Sequence, residues 1–229
     1  MSQTSKASFD LPTKSEAERR RASRIYSALE KAYPDATCAL DYRTPHELLI
    51  ATILSAQSTD VGVNKATPAL FAEFPDPERY AAARPEDIQP LISSIGLYRN
   101  KSKAIHESMK RVVECHDGEV PDTMEALLEL RGVARKTANV VLGNAFGINV
   151  GVVVDTHVSR IATRFSLTDS KTVQKIERDL MALFPRPKWT QLSHLLIAHG
   201  RAACKARHPR CHEDPICRRY CSCEWCEDN

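Results

Sequence analysis

The sequence predicts an all-α protein, and three observations carry that expectation. Apolar residues recur at spacings of three and four, as in Ile105, Met109, Val112 and Val113. Several segment starts carry a helix cap or an early proline: Thr44-Pro45, Asp76-Pro77, Asp122 and Asp169. The one β-branched run, Val150–Val154, is short and has no hairpin partner, so it reads as an extended connector between helices.

Residues 1–13 are polar, carry Pro12, and are expected to form a flexible tail. Glu16–Lys31 has helical composition and charge pairs. Thr44–Gln57 contains the longest apolar run, Glu47 to Ala56, which is too short to span a membrane and reads as a buried core helix. The periodic pattern then predicts Val61–Phe71, Pro77–Ala83, Pro85–Ser93, Arg99–Glu114, Thr123–Leu128 and Val133–Phe146. After the connector it predicts Thr156–Phe165, Thr172–Phe184 and Lys188–Ala203.

The chain of 229 residues has room for one large domain or two small ones. Its net charge of +3 and pI near 8.4 are only mildly basic, so composition alone does not imply nucleic-acid binding. The basic residues do cluster: Arg99, Lys101 and Lys103; Arg131, Arg135 and Lys136; Arg201, Lys205, Arg207 and Arg210. Each group also reads as an ordinary solvated helix face. The first residues lack a signal-peptide core, and Glu16 and Glu18 interrupt the Arg-rich stretch that follows. A bacterial cytoplasmic chain is expected. Of the cysteines, Cys38 and Cys115 stand alone while six crowd between Cys204 and Cys226, which points to a metal site rather than a disulfide framework.

The segment from Leu130 to Gly143 is the most informative. Leu127–Leu142 has the form helix, tight turn, helix, with Gly132 where the turn needs an unusual backbone conformation. Turn amides and a helix N-terminus suit one phosphate oxygen and read no sequence. Lys136 stands on the first helical turn, where an unprotonated amine beside a bound phosphate could attack what the phosphate carries. The plain alternatives are a helix connection with a glycine C-cap and a solvated surface lysine. Val154-Asp155-Thr156-His157 follows, with Asp155 placed as a natural helix cap.

These segments resemble the endonuclease III family of DNA base-excision glycosylases. So do Leu54-Ser55-Ala56-Gln57-Ser58-Thr59-Asp60 with Asn64-Lys65-Ala66-Thr67, Ile95-Gly96-Leu97-Tyr98 with Lys101-Ser102-Lys103-Ala104, and His199-Gly200-Arg201. The match runs in order from about Ser15 to Cys211. The resemblance implies a two-lobed helix-hairpin-helix glycosylase fold. One lobe is a six-helix bundle at 38–148 that ends with the hairpin at 127–142. The other is a cluster domain of 14–37 plus 149–229 with a Cys-rich loop at 204–226. It places the active site in the cleft between the lobes, with Lys136 as nucleophile and Asp155 as catalytic carboxylate. Gln57 fills the gap left by a flipped-out nucleotide, and Leu97 wedges beside it. Arg131, Gly132, Val133, Ala134 and Arg135 at the hairpin, with Lys205, Arg207 and Arg210, are the expected DNA contacts.

The implied activity is a bifunctional glycosylase and abasic-site lyase that removes oxidised pyrimidines from duplex DNA through a lysine Schiff base and cuts by β-elimination. The alternatives are a monofunctional glycosylase of other base preference, and a non-catalytic DNA-binding metal-cluster protein. The expected partner is double-stranded DNA with a damaged base or abasic site. A monomer, nucleoid-associated and without membrane contact, is expected.

The chain departs from the family pattern in the cysteine tail, at the hairpin, and by one extra residue between Lys136 and Asp155. The tail does not keep the family's cysteine spacing, because Asp214 and Tyr220 stand where the third and fourth ligands belong. An insertion after Cys211 restores a set of Cys204, Cys211, Cys217 and Cys223, with Cys226 or Cys221 as substitutes. Four thiolates suit a [4Fe-4S] cluster, and zinc is the alternative. At the hairpin, Arg131 replaces a proline and Ala134 a glycine. If position 134 needs positive φ or a bare backbone, its methyl costs on the order of 1 kcal/mol and weakens the phosphate grip.

Overall fold

The computed structural model describes residues 11–207 and 211–223. Of the sequence expectations, residues 1–10 of the tail, Arg210 and Cys226 lie outside the described residues. The described residues are helical with no strand. In chain order the helices are α1 (Glu16–Ala32), α2 (Pro45–Ser55), α3 (Asp60–Glu73), α4 (Pro77–Ala82), α5 (Pro85–Ile88), α6 (Tyr98–His116), α7 (Met124–Leu128), α8 (Arg135–Ala145), α9 (Thr156–Arg164), α10 (Val173–Leu183), α11 (Trp189–Ala202) and α12 (Pro215–Tyr220). All-α is therefore the correct class.

The chain divides into two compact units, Cys38–Val150 and Met1–Thr37 with Gly151–Asn229. In the first, α2 is the central element. Thr44 caps it by accepting from the Glu47 amide, Pro45 occupies its first turn, and every side chain from Glu47 to Leu54 is buried. It packs on α3, α6 and α8, and its leucines and isoleucines meet Val63, Leu70, Ile105, Met109, Val141 and Leu142. Burial of Glu47 is offset by Arg43, whose guanidinium donates to both carboxylate oxygens, the closest of these bonds being 2.7 Å, and whose backbone amide donates to Oε2 at 2.6 Å.

In the second unit, α1, α9, α10 and α11 enclose Ile25, Leu29, Ile161, Phe165, Leu180 and Leu195. A complete capping box starts α1, with Ser15 and Glu18 satisfying each other's backbone amides. Val150–Val154 joins α8 to α9 without forming a helix or a strand, with Val152 to Val154 buried and the Val153 amide donating to Ser193 Oγ at 3.0 Å.

Three sequence expectations are corrected. Pro85–Ser93 is not one helix, because α5 tightens into a 3₁₀ turn at Gln89–Ile92, where Pro90 has no amide to continue the α-helical ladder. Asp122 and Asp169 are not caps. Thr123 caps α7 by accepting from the Ala126 amide, and α10 starts at Thr172 without a side-chain cap bond. Finally, α12 was not predicted, although Asp214 caps it by accepting from the Ile216 and Cys217 amides and Pro215 opens it.

Candidate active site and metal centre

The hairpin joins α7 to α8 in the first unit. The Leu130 amide donates to Leu127 O and the Val133 amide to Leu130 O, which closes two successive tight turns. Gly132 sits at φ +81°, and a Cβ built there stands 3.1 Å from the Ala104 Cβ and 3.6 Å from Ile53 Cγ2. The glycine thus answers two demands, a left-handed backbone and a close approach to α6 and α2. Ser108 fastens the turn from α6 by donating to Arg131 O at 2.7 Å.

Ala134 is the N-cap of α8 at φ −100° and ψ 170°. That is ordinary extended backbone, so the positive-φ penalty weighed for this position is absent. A methyl side chain cannot accept a hydrogen bond, so α8 begins with no side-chain cap. Lys136 is the second residue of α8 and is exposed, as are Arg131, Gly132 and Ala134. Val133 is buried and anchors the turn. Arg131 carries an ion pair with Glu107 on α6, so its charge is partly engaged before any ligand arrives.

Gln57 and Leu97 belong to the same unit. Both are exposed, and both hold left-handed backbone, at φ 55° and φ 60°. Gln57 follows the end of α2, and Leu97 is the N-cap of α6, again with no side-chain cap.

Asp155 lies in the other unit and is the N-cap of α9, its Oδ1 accepting from the Val158 amide at 2.8 Å. His157 Nδ1 stands 3.3 Å from Oδ2, so both carboxylate oxygens have partners. Gly200 on α11 makes room for this pair, because a Cβ there would meet His157 at 3.3 Å and Arg160 Nη2 at 3.0 Å. The sequence reading assigned no role to His157 or Gly200. The short-range signal was their place in the motifs Val154–His157 and His199–Arg201.

The cysteine tail is in the same unit as Asp155. Cys204, Cys211 and Cys217 are buried, and Cys221 and Cys223 are half-buried. Their sulfurs converge: Cys204 to Cys211 is 3.9 Å, Cys211 to Cys223 is 3.8 Å and Cys221 to Cys223 is 3.1 Å. Cys204, Cys211 and Cys221 form one group of potential metal ligands, and His199, Cys204 and Cys217 form another. The α12 turn brings Cys217 and Cys221 together, its last bond running from the Cys221 amide to Cys217 O.

Two basic side chains face the sulfurs. Arg164 Nη1 donates to Cys204 Sγ at 3.1 Å and to Lys205 O at 2.8 Å. His199 is fully buried, with Nε2 3.2 Å from Cys217 Sγ and Nδ1 3.0 Å from the Tyr33 hydroxyl. Hydrogen bonds from the Cys217 and Cys221 thiols, helped by Arg164, hold the Cys204 thiol well below its usual range, while the Cys217 thiol, which donates to Cys204, is pushed up. A buried cage of converging cysteine sulfurs beside a guanidinium, which favours their deprotonated form, is the donor chemistry that a soft or borderline metal needs. Lys205 and Arg207 are exposed just after Cys204.

The profile of the HhH-GPD superfamily base excision DNA repair proteins matches residues 50–186. Endonuclease III of Synechocystis sp. is 54% identical over 197 residues, 86% of this chain and 90% of that protein. Endonuclease III of Escherichia coli is 42% identical over 187 residues, 82% of this chain and 88% of that protein. Among solved structures, a trapped endonuclease III–DNA covalent intermediate, an estranged-adenine complex, is similar with a TM-score of 0.83 and 40% identity, covering 89% of this chain and 95% of that one. A thermostable thymine-DNA glycosylase shares the fold, with a TM-score of 0.80 at 22% identity, covering 94% of this chain and 100% of that one.

Proposed function

The chain belongs to the endonuclease III family, within the HhH-GPD superfamily of base excision DNA repair proteins, and on that premise we propose that it is a bifunctional DNA glycosylase and abasic-site lyase. The observation that carries the reading is the hairpin: an exposed lysine one residue into a helix whose start has no side-chain cap. A helix start without a side-chain cap attracts a phosphate, and a phosphate held there brings the sugar beside it within reach of the lysine amine. The substrates are oxidised pyrimidines and abasic sites in duplex DNA.

In this mechanism the Lys136 amine, unprotonated, attacks the sugar carbon that bears the damaged base. The bond from that carbon to the base breaks, and the base departs with its electron pair and takes up a proton. Asp155, held in place by its cap bond, stabilises the positive charge that builds on the sugar as the base leaves. Ring opening gives a Schiff base between Lys136 and the sugar. Loss of a proton from the adjacent carbon expels the 3′ phosphate, and hydrolysis of the Schiff base frees the lysine. Gln57 fills the emptied position in the duplex and Leu97 wedges beside it. Gly132 to Arg135 hold the phosphate, and Arg131, Lys205 and Arg207 add charge.

The thiols of Cys204, Cys211, Cys217 and Cys223, with Cys221 in reserve, fit a four-thiolate group by donor type and convergence. We assign a [4Fe-4S] cluster to them, with zinc as the other occupant such donors take. When bound, the group would supply a cross-link between Cys217 of α12 and Cys204, next to the segment carrying Lys205 and Arg207. Among the described residues no helix is long and apolar enough to cross a membrane. A monomer working on the bacterial nucleoid fits this reading.

Borohydride trapping tests the proposal. Wild-type protein on duplexes bearing an oxidised pyrimidine or an abasic site is expected to form a covalent adduct, and Lys136→Gln none. Duplex binding without an adduct on any substrate would remove the nucleophile from the mechanism.

A further inference from the structure

In the sequence, Arg99, Lys101 and Lys103 read as one solvated basic face. Arg99 and Lys103 are exposed, but Lys101 is buried, with 5% of its surface exposed. Its Nζ donates to Leu54 O at 2.9 Å and to Ser58 Oγ at 3.0 Å. Its backbone amide donates to Leu97 O at 3.0 Å. Among the described residues no carboxylate pairs with it, and burial pushes its ammonium group down from the usual lysine value. A buried cation without a counter-ion is costly, so its placement calls for a reason.

The reason lies in what it joins. Leu54 O belongs to the last turn of α2, where carbonyls lose their helical partners and the helix dipole is negative. Ser58 follows Gln57, so the Lys101 side chain holds the segment on both sides of Gln57. The same residue closes the first turn of α6 onto Leu97, the residue that starts it. Gln57 and Leu97 are both in a backbone region that residues with side chains rarely adopt. Such geometry persists only where the surroundings over-determine it. The two segments also touch: a Cβ built on Gly96 would stand 3.8 Å from Gln57 O.

We propose that Lys101 is a positioning residue that locks the Gln57 segment to the Leu97 segment, so that plug and wedge enter the duplex as one rigid pair. This rests on the assignment of Gln57 and Leu97 given under the proposed function. Lysine suits the task because it offers three donors at the end of a slim stem, one more than the two acceptors it meets here. Methionine fills a similar volume with no donor.

The test uses the full-length protein and a duplex holding a non-cleavable abasic analogue with 2-aminopurine opposite it. Insertion of the plug changes the stacking, and so the fluorescence, of the 2-aminopurine. Trapping on a single-stranded abasic oligonucleotide, where there is no partner base to replace, controls for the lysine chemistry. Lys101→Met is expected to abolish most of the fluorescence change and to lower the ratio of duplex to single-strand trapping about tenfold, the loss that one charge-assisted hydrogen bond represents. Adding Gln57→Ala to Lys101→Met should cost little more, because both act on the same contact.

A folded Lys101→Met protein with wild-type fluorescence and ratio overturns the proposal. If that variant does not fold, Ser58→Ala, which removes one of the two side-chain bonds, is to shift both readouts in the same direction, and unchanged readouts overturn the proposal. Gln57→Ala and Leu97→Ala that both behave as wild type would instead sink the plug-and-wedge assignment, and the role of Lys101 with it.

Discussion

Gly132→Ala is the most exposing change available at the hairpin. At φ +81° an alanine pays about 1–2 kcal/mol for left-handed backbone. Its methyl would stand 3.1 Å from the Ala104 Cβ, and that neighbour is itself a rigid stub on a packed helix, not the end of a flexible side chain. Relief must come from a shift of the turn against α6, at about 1 kcal/mol, the low end of overpacking costs. The sum is about 2–3 kcal/mol, or a Tm lowered by about 4–12 °C for a chain of this size. The turn that yields is the one proposed to hold the phosphate, so duplex affinity should fall as well, and it should fall more than stability alone explains at a temperature where the variant is folded. Differential scanning calorimetry and fluorescence anisotropy on an abasic-analogue duplex measure the two losses. Ala134→Gly is the internal contrast. With φ at −100° there is no strain to relieve, and the expected change is within about 0.5 kcal/mol. A Gly132→Ala protein with an unchanged Tm, or an Ala134→Gly protein markedly more stable than wild type, would refute this account of the turn.

Two further predictions separate roles that share a residue. Asp155→Asn keeps a side-chain oxygen for the Val158 amide, so it should retain stability and lose most of the glycosylase rate; Asp155→Ala should lose the rate and about 1 kcal/mol of stability besides. Equal melting temperatures for the two would deny the cap. Glu47 gives the pH dependence. Burial pushes its carboxyl up, but the Arg43 hydrogen bonds and charge outweigh burial and leave it below the usual carboxylate range. Its stabilising contribution is therefore complete above the unfolded-state value of about 4.3 and is lost as pH falls through the lower folded value. Melting curves from pH 6 to pH 3 should fall more steeply for wild type than for Glu47→Gln, and parallel curves would count against the pair.

The all-α class was legible because helix periodicity and caps agree along most of the chain, and α1 to α4 and α6 to α11 begin and end within two residues of the predicted bounds. Local chemistry set the exceptions. Thr123 displaced Asp122 as a cap because it lies one residue nearer the first helical turn. The helix α12 lies where the cysteine spacing needs three extra residues after Cys211, and there the Asp214-Pro215 pair, which repeats the cap-and-proline signal of Asp76-Pro77, reads as part of an insertion. At the site, residue types suggested Lys136 and Asp155, but φ at position 134, burial of Lys101 and the approach of His199 to Cys217 depend on long-range packing. No spacing rule in a single sequence reports those.

Within Cys38–Val150, α2, α3, α4 and α7 each begin on a threonine or aspartate whose side chain satisfies the first turn. The two longer helices that begin bare are α6 and α8, which start at Leu97 and Ala134. A hydroxyl at position 134 would strengthen the free protein and occupy the amides that a phosphate would otherwise take. On the proposed function, a phosphate of the duplex backbone would take the place of the missing cap at α8. By linkage, intact or damaged duplex should raise the protein's melting temperature in proportion to the logarithm of free DNA. A stability measured on the protein alone is then the lower bound of what it has in a DNA-filled compartment.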